Sequence, residues 1–214
     1  MILLKSVFII AIVAVVMIGV MVPNSDAFIT NQIPELSLGT INIAGHHIIP
    51  SSGENPSTFD SDGNLWVAET DNNRIVKYPV DNLGMYGYYT VVLGQYNLGT
   101  NVANNGGLSS FSLNAPNGLT FDSSGNLWVA DKGNSRVLKY PAANLSTGGA
   151  ATVALGQTDL TSRTNGNTAT TMKNATSITF DSSGNLWVAD SGSNRILKYP
   201  AANLSTGGAA TVAL

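Results

Sequence analysis

The sequence predicts an all-β protein assembled from three copies of one four-stranded unit. Three observations carry this reading. The run Phe-Asp-Ser-(Asp/Ser)-Gly-Asn-Leu-Trp-Val-Ala-(Glu/Asp) occurs at Phe59 to Glu69, Phe121 to Asp131 and Phe180 to Asp190. Each copy leads into Arg-(Ile/Val)-(Val/Leu)-Lys-Tyr-Pro, ending at Pro79, Pro141 and Pro200, and the copies start 62 and 59 residues apart, a period that marks a repeat architecture. The chain beyond its N-terminus is dominated by Gly, Asn, Ser, Thr and β-branched residues, in which no long amphipathic helix can be drawn.

The N-terminus stands apart from the repeats. After the lone cation Lys5, residues 7 to 22 carry no charge, and Pro23-Asn24-Ser25-Asp26-Ala27 follows. A basic residue, an apolar helix and small residues at Ser25 and Ala27 read as an export signal, residues 1–27, cleaved after Ala27. The alternative is an uncleaved anchor, because Ser6 to Val22 is at the short end of what crosses a bilayer, about 17 residues. Either way the remainder is expected outside the cytoplasm, secreted or membrane-anchored by residues 6–22. Residues 28–39 read as a linker. Thr40 to Gly45, Thr-Ile-Asn-Ile-Ala-Gly, resembles the later Thr90-Val91-Val92-Leu93-Gly94 and is expected to pair with the last unit of a complete ring.

Within each unit four short strands follow one another. In the second copy the first is Leu119 to Asp122, closed by a Ser-Ser-Gly-Asn turn suited to a hairpin. The second strand, Asn126 to Ala130, is apolar on both alternating faces, as for a strand sandwiched between layers. A polar turn at Lys132 to Ser135 leads to the third strand, Arg136 to Tyr140, which Pro141 ends because it has no N–H for the ladder. Thr152 to Leu155 is the fourth. Tyr78, Tyr140 and Tyr199, each before a Pro, are expected to be half-exposed.

A four-stranded unit that buries neither face alone matches the blade of a β-propeller. The spacing exceeds the ~40 to 45 residues of a familiar propeller repeat, so Gly94 to Ala115 and Gly156 to Ala175 are expected as long loops on one rim. The propeller region is placed at 40–214, with blade 1 at about 55–95, blade 2 at about 116–157 and blade 3 at about 175–214. Three blades cannot close a ring that needs at least about four. Leu197 to Leu214 repeats Leu138 to Leu155 without a change, and the sequence ends inside the fourth-strand motif. The expectation is therefore an open arc, part of a larger propeller, whose end faces favour self-association; a dimer of three plus three blades is the alternative.

The residues also carry a family resemblance. Asn114-Ala115-Pro116-Asn117-Gly118-Leu119-Thr120-Phe121-Asp122, then Gly125-Asn126-Leu127-Trp128-Val129-Ala130-Asp131, then Ser135-Arg136-Val137, is similar to the NHL repeat. The family's Asn-His-Leu triplet appears here as Asn73-Arg74-Ile75, Ser135-Arg136-Val137 and Asn194-Arg195-Ile196. The resemblance spans roughly Gly45 to Leu214 and implies a six-bladed, TolB-like propeller, exported in many microbial relatives and most often a binding scaffold. The third copy departs from the pattern, with Ala175-Thr176-Ser177 in place of Pro-Asn-Gly, so the entering turns are expected to differ.

Composition narrows the function. With 11% charged residues and a net charge of −3 there is no basic field for nucleic acid or an anionic membrane, so membrane contact is expected only through the N-terminal segment. The absence of Cys excludes disulfides, thiolate metal sites and a Cys nucleophile. Glu69, Asp131 and Asp190 precede Arg74, Arg136 and Arg195 by five residues across a hairpin turn, a spacing that predicts one structural ion pair per blade. The competing reading makes those carboxylates a cation-binding ring. Trp66, Trp128 and Trp187, inside the apolar second strands, are read as packing between blades rather than as a sugar platform. Asp60-Ser61-Asp62-Gly63-Asn64 resembles the start of a Ca2+ loop but lacks the distant Glu, so a turn capped by its own side chains is preferred. His46 and His47, adjacent on a strand, point to opposite faces and are not read as metal ligands. No cofactor is expected, Ca2+ being the one cation the acidic residues would suit. Asn144, Asn174 and Asn203 head Asn-x-Ser/Thr triplets and are candidate glycosylation sites.

No residue constellation unique to one position suggests catalysis. The expected function is a non-catalytic scaffold that recognises a protein or glycan through the long loops. The alternative is a metal-dependent lyase or lactonase with its site in the central channel, which the fold permits and does not establish.

Overall fold

The computed structural model describes residues 55–83 and 87–213, together with the backbone of 42–43 and 46–47. The export signal or anchor and the linker lie outside the described residues. The short strands β1 (Asn42–Ile43) and β2 (His46–His47) pair with each other, antiparallel.

Three four-stranded antiparallel sheets follow, each a simple meander. Blade 1 comprises β3 (Ser57–Phe59), β4 (Leu65–Glu69), β5 (Arg74–Tyr78) and β6 (Val91–Leu93). Blade 2 comprises β7 (Pro116–Phe121), β8 (Leu127–Asp131), β9 (Arg136–Tyr140) and β10 (Val153–Leu155). Blade 3 comprises β11 (Ala175–Phe180), β12 (Leu186–Asp190), β13 (Arg195–Tyr199) and β14 (Val212–Ala213). Single 3-10 turns join the second and third strands, each followed by a residue in the left-handed region: Asn73, Ser135 and Asn194 at φ 54°, 52° and 50°. This conformation reverses the chain within three residues, and Asn tolerates it better than most.

The blades stack through alternate faces of their middle strands. Trp66 and Ala68 of β4 meet Leu119, Leu127, Val129, Leu138 and Tyr140 of blade 2. Trp128 and Ala130 of β8 meet Ile178, Leu186, Val188, Leu197 and Tyr199 of blade 3. Every residue of β4 and β8 is buried, whereas β12 alternates between buried and half-buried. The apolar run Leu-Trp-Val-Ala thus reads correctly as a strand covered on both sides, and it is so covered only where a following blade exists.

Two backbone details set the spacing. β11 packs directly against β7, and a Cβ on Gly118 would lie 2.8 Å from both Ser177 Cα and Thr176 O, so only glycine permits this approach. The entering strands carry bulges, between Pro116 and Leu119 in β7 and between Ala175 and Ser177 in β11. The exchange of Pro-Asn-Gly for Ala-Thr-Ser therefore alters the bulge without removing the strand.

The tyrosines correct an expectation. Tyr78, Tyr140 and Tyr199 are fully buried rather than half-exposed, and among the described residues none of their hydroxyls has a hydrogen-bond partner. Pro ends each strand beside them, but Tyr140 and Tyr199 pack into the blade interfaces and Tyr78 into a cluster within blade 1. Burial pushes all three phenols well above their ordinary value of 10.0.

Candidate functional site

One rim of the arc is built around the recurring arginines. Arg74 Nε lies 2.6 Å from Glu69 Oε2, Arg136 Nε 2.7 Å from Asp131 Oδ2 and Arg195 Nε 2.8 Å from Asp190 Oδ2. The rest of each guanidinium is spent on the inserted loops. Arg136 donates from Nη1 to Leu160 O and from Nη2 to Ser109 O and Ser112 O, so one buried side chain holds the loops on both sides of blade 2. Arg74 reaches Leu98 O, and Arg195 reaches Thr168 O and Thr171 O. Five donors in a planar fork make Arg suited to carbonyls arranged around it.

Asp131 and Asp190 accept at both oxygens, whereas Glu69 Oε1 is buried without a hydrogen-bond partner among the described residues. Asp131 accepts from the Asn114 backbone N–H and the Asn134 amide as well as from Arg136. Asp190 accepts from the Lys173 N–H at the same relative position. Each of the three carboxylates faces its own arginine in a buried setting. Among the described residues no group of three His, Cys, Asp or Glu side chains is placed to hold a metal ion.

A second clamp was invisible in the sequence reading. Gln95 donates to Asn73 O and Val102 O, and Gln157 donates to Ser135 O and Thr164 O. Both glutamines are buried at the root of their loops. Their signal was the Gly-Gln pair after the fourth strand, at Gly94-Gln95 and Gly156-Gln157. The glycine makes room for an apolar plug at the far end of each loop, since a Cβ on Gly94 would sit 2.6 Å from Leu113 and one on Gly156 2.6 Å from Met172. The loops are thus fixed at both ends. The first leaves Tyr96, Val102 and Phe111 54%, 57% and 41% exposed, beside exposed Asn97 and Asn101. The second exposes Thr158, Thr161, Arg163, Thr164, Thr168, Thr170 and Lys173.

The opposite rim carries the Asp-Ser-x-Gly-Asn turns. Asp122 Oδ1 accepts from the N–H groups of Ser124 and Asn126, and Asp122 Oδ2 accepts from Trp128 Nε1 at 2.9 Å. Asp60 and Asp181 repeat this arrangement with Trp66 and Trp187. Partial burial opposes ionisation of Asp60 and Asp122, but bonds from Trp and Asn outweigh it and hold both below the ordinary carboxylate value. Bonds from Asn185 and Trp187 lower Asp181 strongly. The carboxylates therefore lock the indoles. Lys77, Lys139 and Lys198 stand over the same three indoles, at 5.7, 5.5 and 5.3 Å from the ring centroids. Between blades 1 and 2 this rim opens a cleft of about 720 Å³, lined by Asp60, Asp122, Lys77 and Phe121 among others.

The three sequons differ in availability. Asn144 and Asn203 donate their amides to Ala150 O and Ala209 O inside their own turns. Asn174 occupies the left-handed region at φ 59°, where blade 3 begins.

Residues 113–140 and 173–199 match the family model of the NHL repeat. No curated protein matches the chain. Among solved structures, a protein of unknown function from Bacteroides thetaiotaomicron is 16% identical, with a TM-score of 0.51 over 76% of this chain and 38% of its own. Virginiamycin B lyase from Staphylococcus aureus is 18% identical, with a TM-score of 0.45 over 74% of this chain and 40% of its own. A luciferin-regenerating enzyme is 18% identical, with a TM-score of 0.43 over 74% of this chain and 44% of its own. The likeness is one of fold, and the chain spans less than half the length of these structures.

Proposed function

We propose that the chain, which carries NHL repeats at 113–140 and 173–199, is an exported, non-catalytic scaffold that binds a protein or glycan through its inter-blade loops. The supporting observation is the division of labour on the loop rim. The arginines that recur in every blade are spent on their own carboxylates and on loop carbonyls, while the first loop, clamped by Gln95 and Arg74, carries exposed Tyr96, Val102 and Phe111. A preformed loop loses little entropy on binding, and aromatic residues supply most of the contact energy in recognition surfaces. Export rests on residues 1–27 of the sequence alone.

The test is a glycan array and a panel of extracellular proteins probed with the labelled chain, beside a variant carrying Tyr96→Ser, Val102→Ser and Phe111→Ser. The wild type is expected to retain a subset of probes, and the variant, with unchanged melting behaviour, to bind at least tenfold more weakly. Binding that survives the triple substitution, or chemical turnover of a bound probe, would overturn the proposal.

A further inference from the structure

The two inserted loops share one framework and differ in chemistry. Tyr96, Asn97, Leu98, Asn101 and Val102 of the first correspond, 62 residues on, to Thr158, Asp159, Leu160, Arg163 and Thr164 of the second. The bonds correspond as well. Gln95 holds Val102 O as Gln157 holds Thr164 O, and Arg74 reaches Leu98 O as Arg136 reaches Leu160 O. Asn97 Oδ1 accepts from the Gly99 N–H at 2.9 Å, and Asp159 Oδ1 accepts from the Thr161 N–H at 2.7 Å. What differs is charge. Between Asp81 and Asp122 the chain carries no Asp, Glu, Lys or Arg, whereas the second loop carries Asp159, Arg163 and Lys173.

The exposed side chains of the first loop keep polar groups in reserve. Among the described residues the Asn97 amide nitrogen, the Asn101 side chain and the Tyr96 hydroxyl enter no hydrogen bond. The Tyr96 ring lies close to Gly106, where a Cβ would fall 2.5 Å from the phenol oxygen. Blade 1 also has a brace of its own beneath the loop. Tyr89, which stands where blades 2 and 3 have Ala151 and Ala210, donates its hydroxyl to Leu98 O at 3.0 Å, and Arg74 donates to the same oxygen at 2.9 Å. The loop is therefore preformed as well as uncharged.

Resting on the reading of this loop as the recognition surface, we infer that its ligand is a neutral glycan, without carboxylate, sulfate or amine groups. A sugar hydroxyl both donates and accepts, as carboxamides and phenols do, so Asn97, Asn101 and Tyr96 match it with no charge on either side. The apolar C–H faces of a sugar suit the exposed rings of Tyr96 and Phe111. A charged partner is disfavoured, because its ions would lose water against a loop that offers no opposite charge. Asp71, exposed on the turn whose Asn73 holds Asn101 O, turns acidic glycans away further. Protein interfaces draw on arginine anchors and complementary charge, and the loop supplies neither.

Retention of the full chain on immobilised mannan, β-glucan and galactan, on polygalacturonate and on the panel of extracellular proteins tests this. Retention is expected on at least one neutral polysaccharide, at least tenfold weaker on polygalacturonate, and unchanged between about 0.05 and 0.5 M NaCl because no screened charge takes part. Asn97→Asp combined with Asn101→Arg gives the first loop the charges of the second at unaltered net charge, and the cap that Asp159 makes shows that the turn accepts the first change. This double variant is expected to bind at least tenfold more weakly with unchanged melting, while Asp159→Asn combined with Arg163→Asn binds as the wild type does. Retention by proteins alone, preference for polygalacturonate, loss of binding in salt, or full retention by the first double variant would overturn the neutral-glycan assignment and leave the scaffold reading standing. No retention on any probe, or retention that survives the triple substitution of Tyr96, Val102 and Phe111, would overturn both. Should the first double variant melt lower, the selectivity and salt response of the wild type decide.

Discussion

Arg136 shows how much one side chain holds together. It is fully buried, it pairs with a fully buried carboxylate, and it ties two loops to one blade. Truncating it strands Asp131 as an unpaired buried charge, a change that costs about 3 to 5 kcal/mol. Arg136→Ala is therefore expected to lower unfolding free energy by about 4 kcal/mol in urea titrations. Arg195→Ala, whose side chain is 12% exposed at the arc's end, should cost clearly less. Equal losses would contradict this account. The tyrosines carry the opposite sign: Tyr140 buries a hydroxyl without a partner among the described residues, so Tyr140→Phe is expected to be neutral or stabilising by up to about 1 kcal/mol. A loss of more than about 1 kcal/mol would reveal a bound water or another partner. At this scale the sequence was legible where recurrence and a short spacing coincide, as in Asp131 and Arg136. It was silent on Asp122 and Trp128, because an Asp in a turn already explains itself locally and nothing in the pattern says that its second oxygen reaches an indole. It misled at Tyr140, since a Pro neighbour describes the strand's end and not what the preceding blade lays over it.

Strands and turns were legible to within a few residues because alternation, Gly-Asn turns and Pro stops act locally. The third strand of blade 2 is found at Arg136–Tyr140, where it was expected, whereas the first starts earlier, at Pro116, because its bulge keeps pairing with Asp131. The latch between blades lay beyond such reading, since Val92 and Thr147 are 55 residues apart. Thr147→Val removes the hydroxyl that accepts from the Val92 N–H. The expected cost is about 1 kcal/mol, with a matching loss of hydrogen-exchange protection at Val92 and none at Ala154, which Thr206 serves. Protection unchanged at Val92 would mean that the Gly148 bond alone secures the edge. The loops belong to this scale too: their length was read from the period, but their rigidity comes from Gln95 and Gln157, residues whose contacts lie in the backbone they brace.

For the whole molecule, titration follows from the turns and the tyrosines together. Asp60, Asp122 and Asp181 have folded values below the ordinary 3.8, so they stabilise the fold fully above that value, and the contribution fades as pH falls from there through the lower folded values. The tyrosines sit above 10.0 when folded, so their effect is constant below that value and stability falls as pH rises beyond it. Urea midpoints are expected to be level with respect to these groups from pH 5 to 9, to drop below about pH 4 and to drop again above about pH 10. A midpoint that rises on acidification would contradict the assignment. The Asp–Trp lock has a further consequence, in time rather than in space. It joins residues six apart, within a single hairpin, whereas Arg136 completes its bonds only when Leu160, 24 residues further along, has followed. Contacts so local form early and cost little chain entropy. As synthesis proceeds, each blade sets its own indole before its successor has left the ribosome, so the arc is laid down in order, every blade receiving the next on a surface already finished.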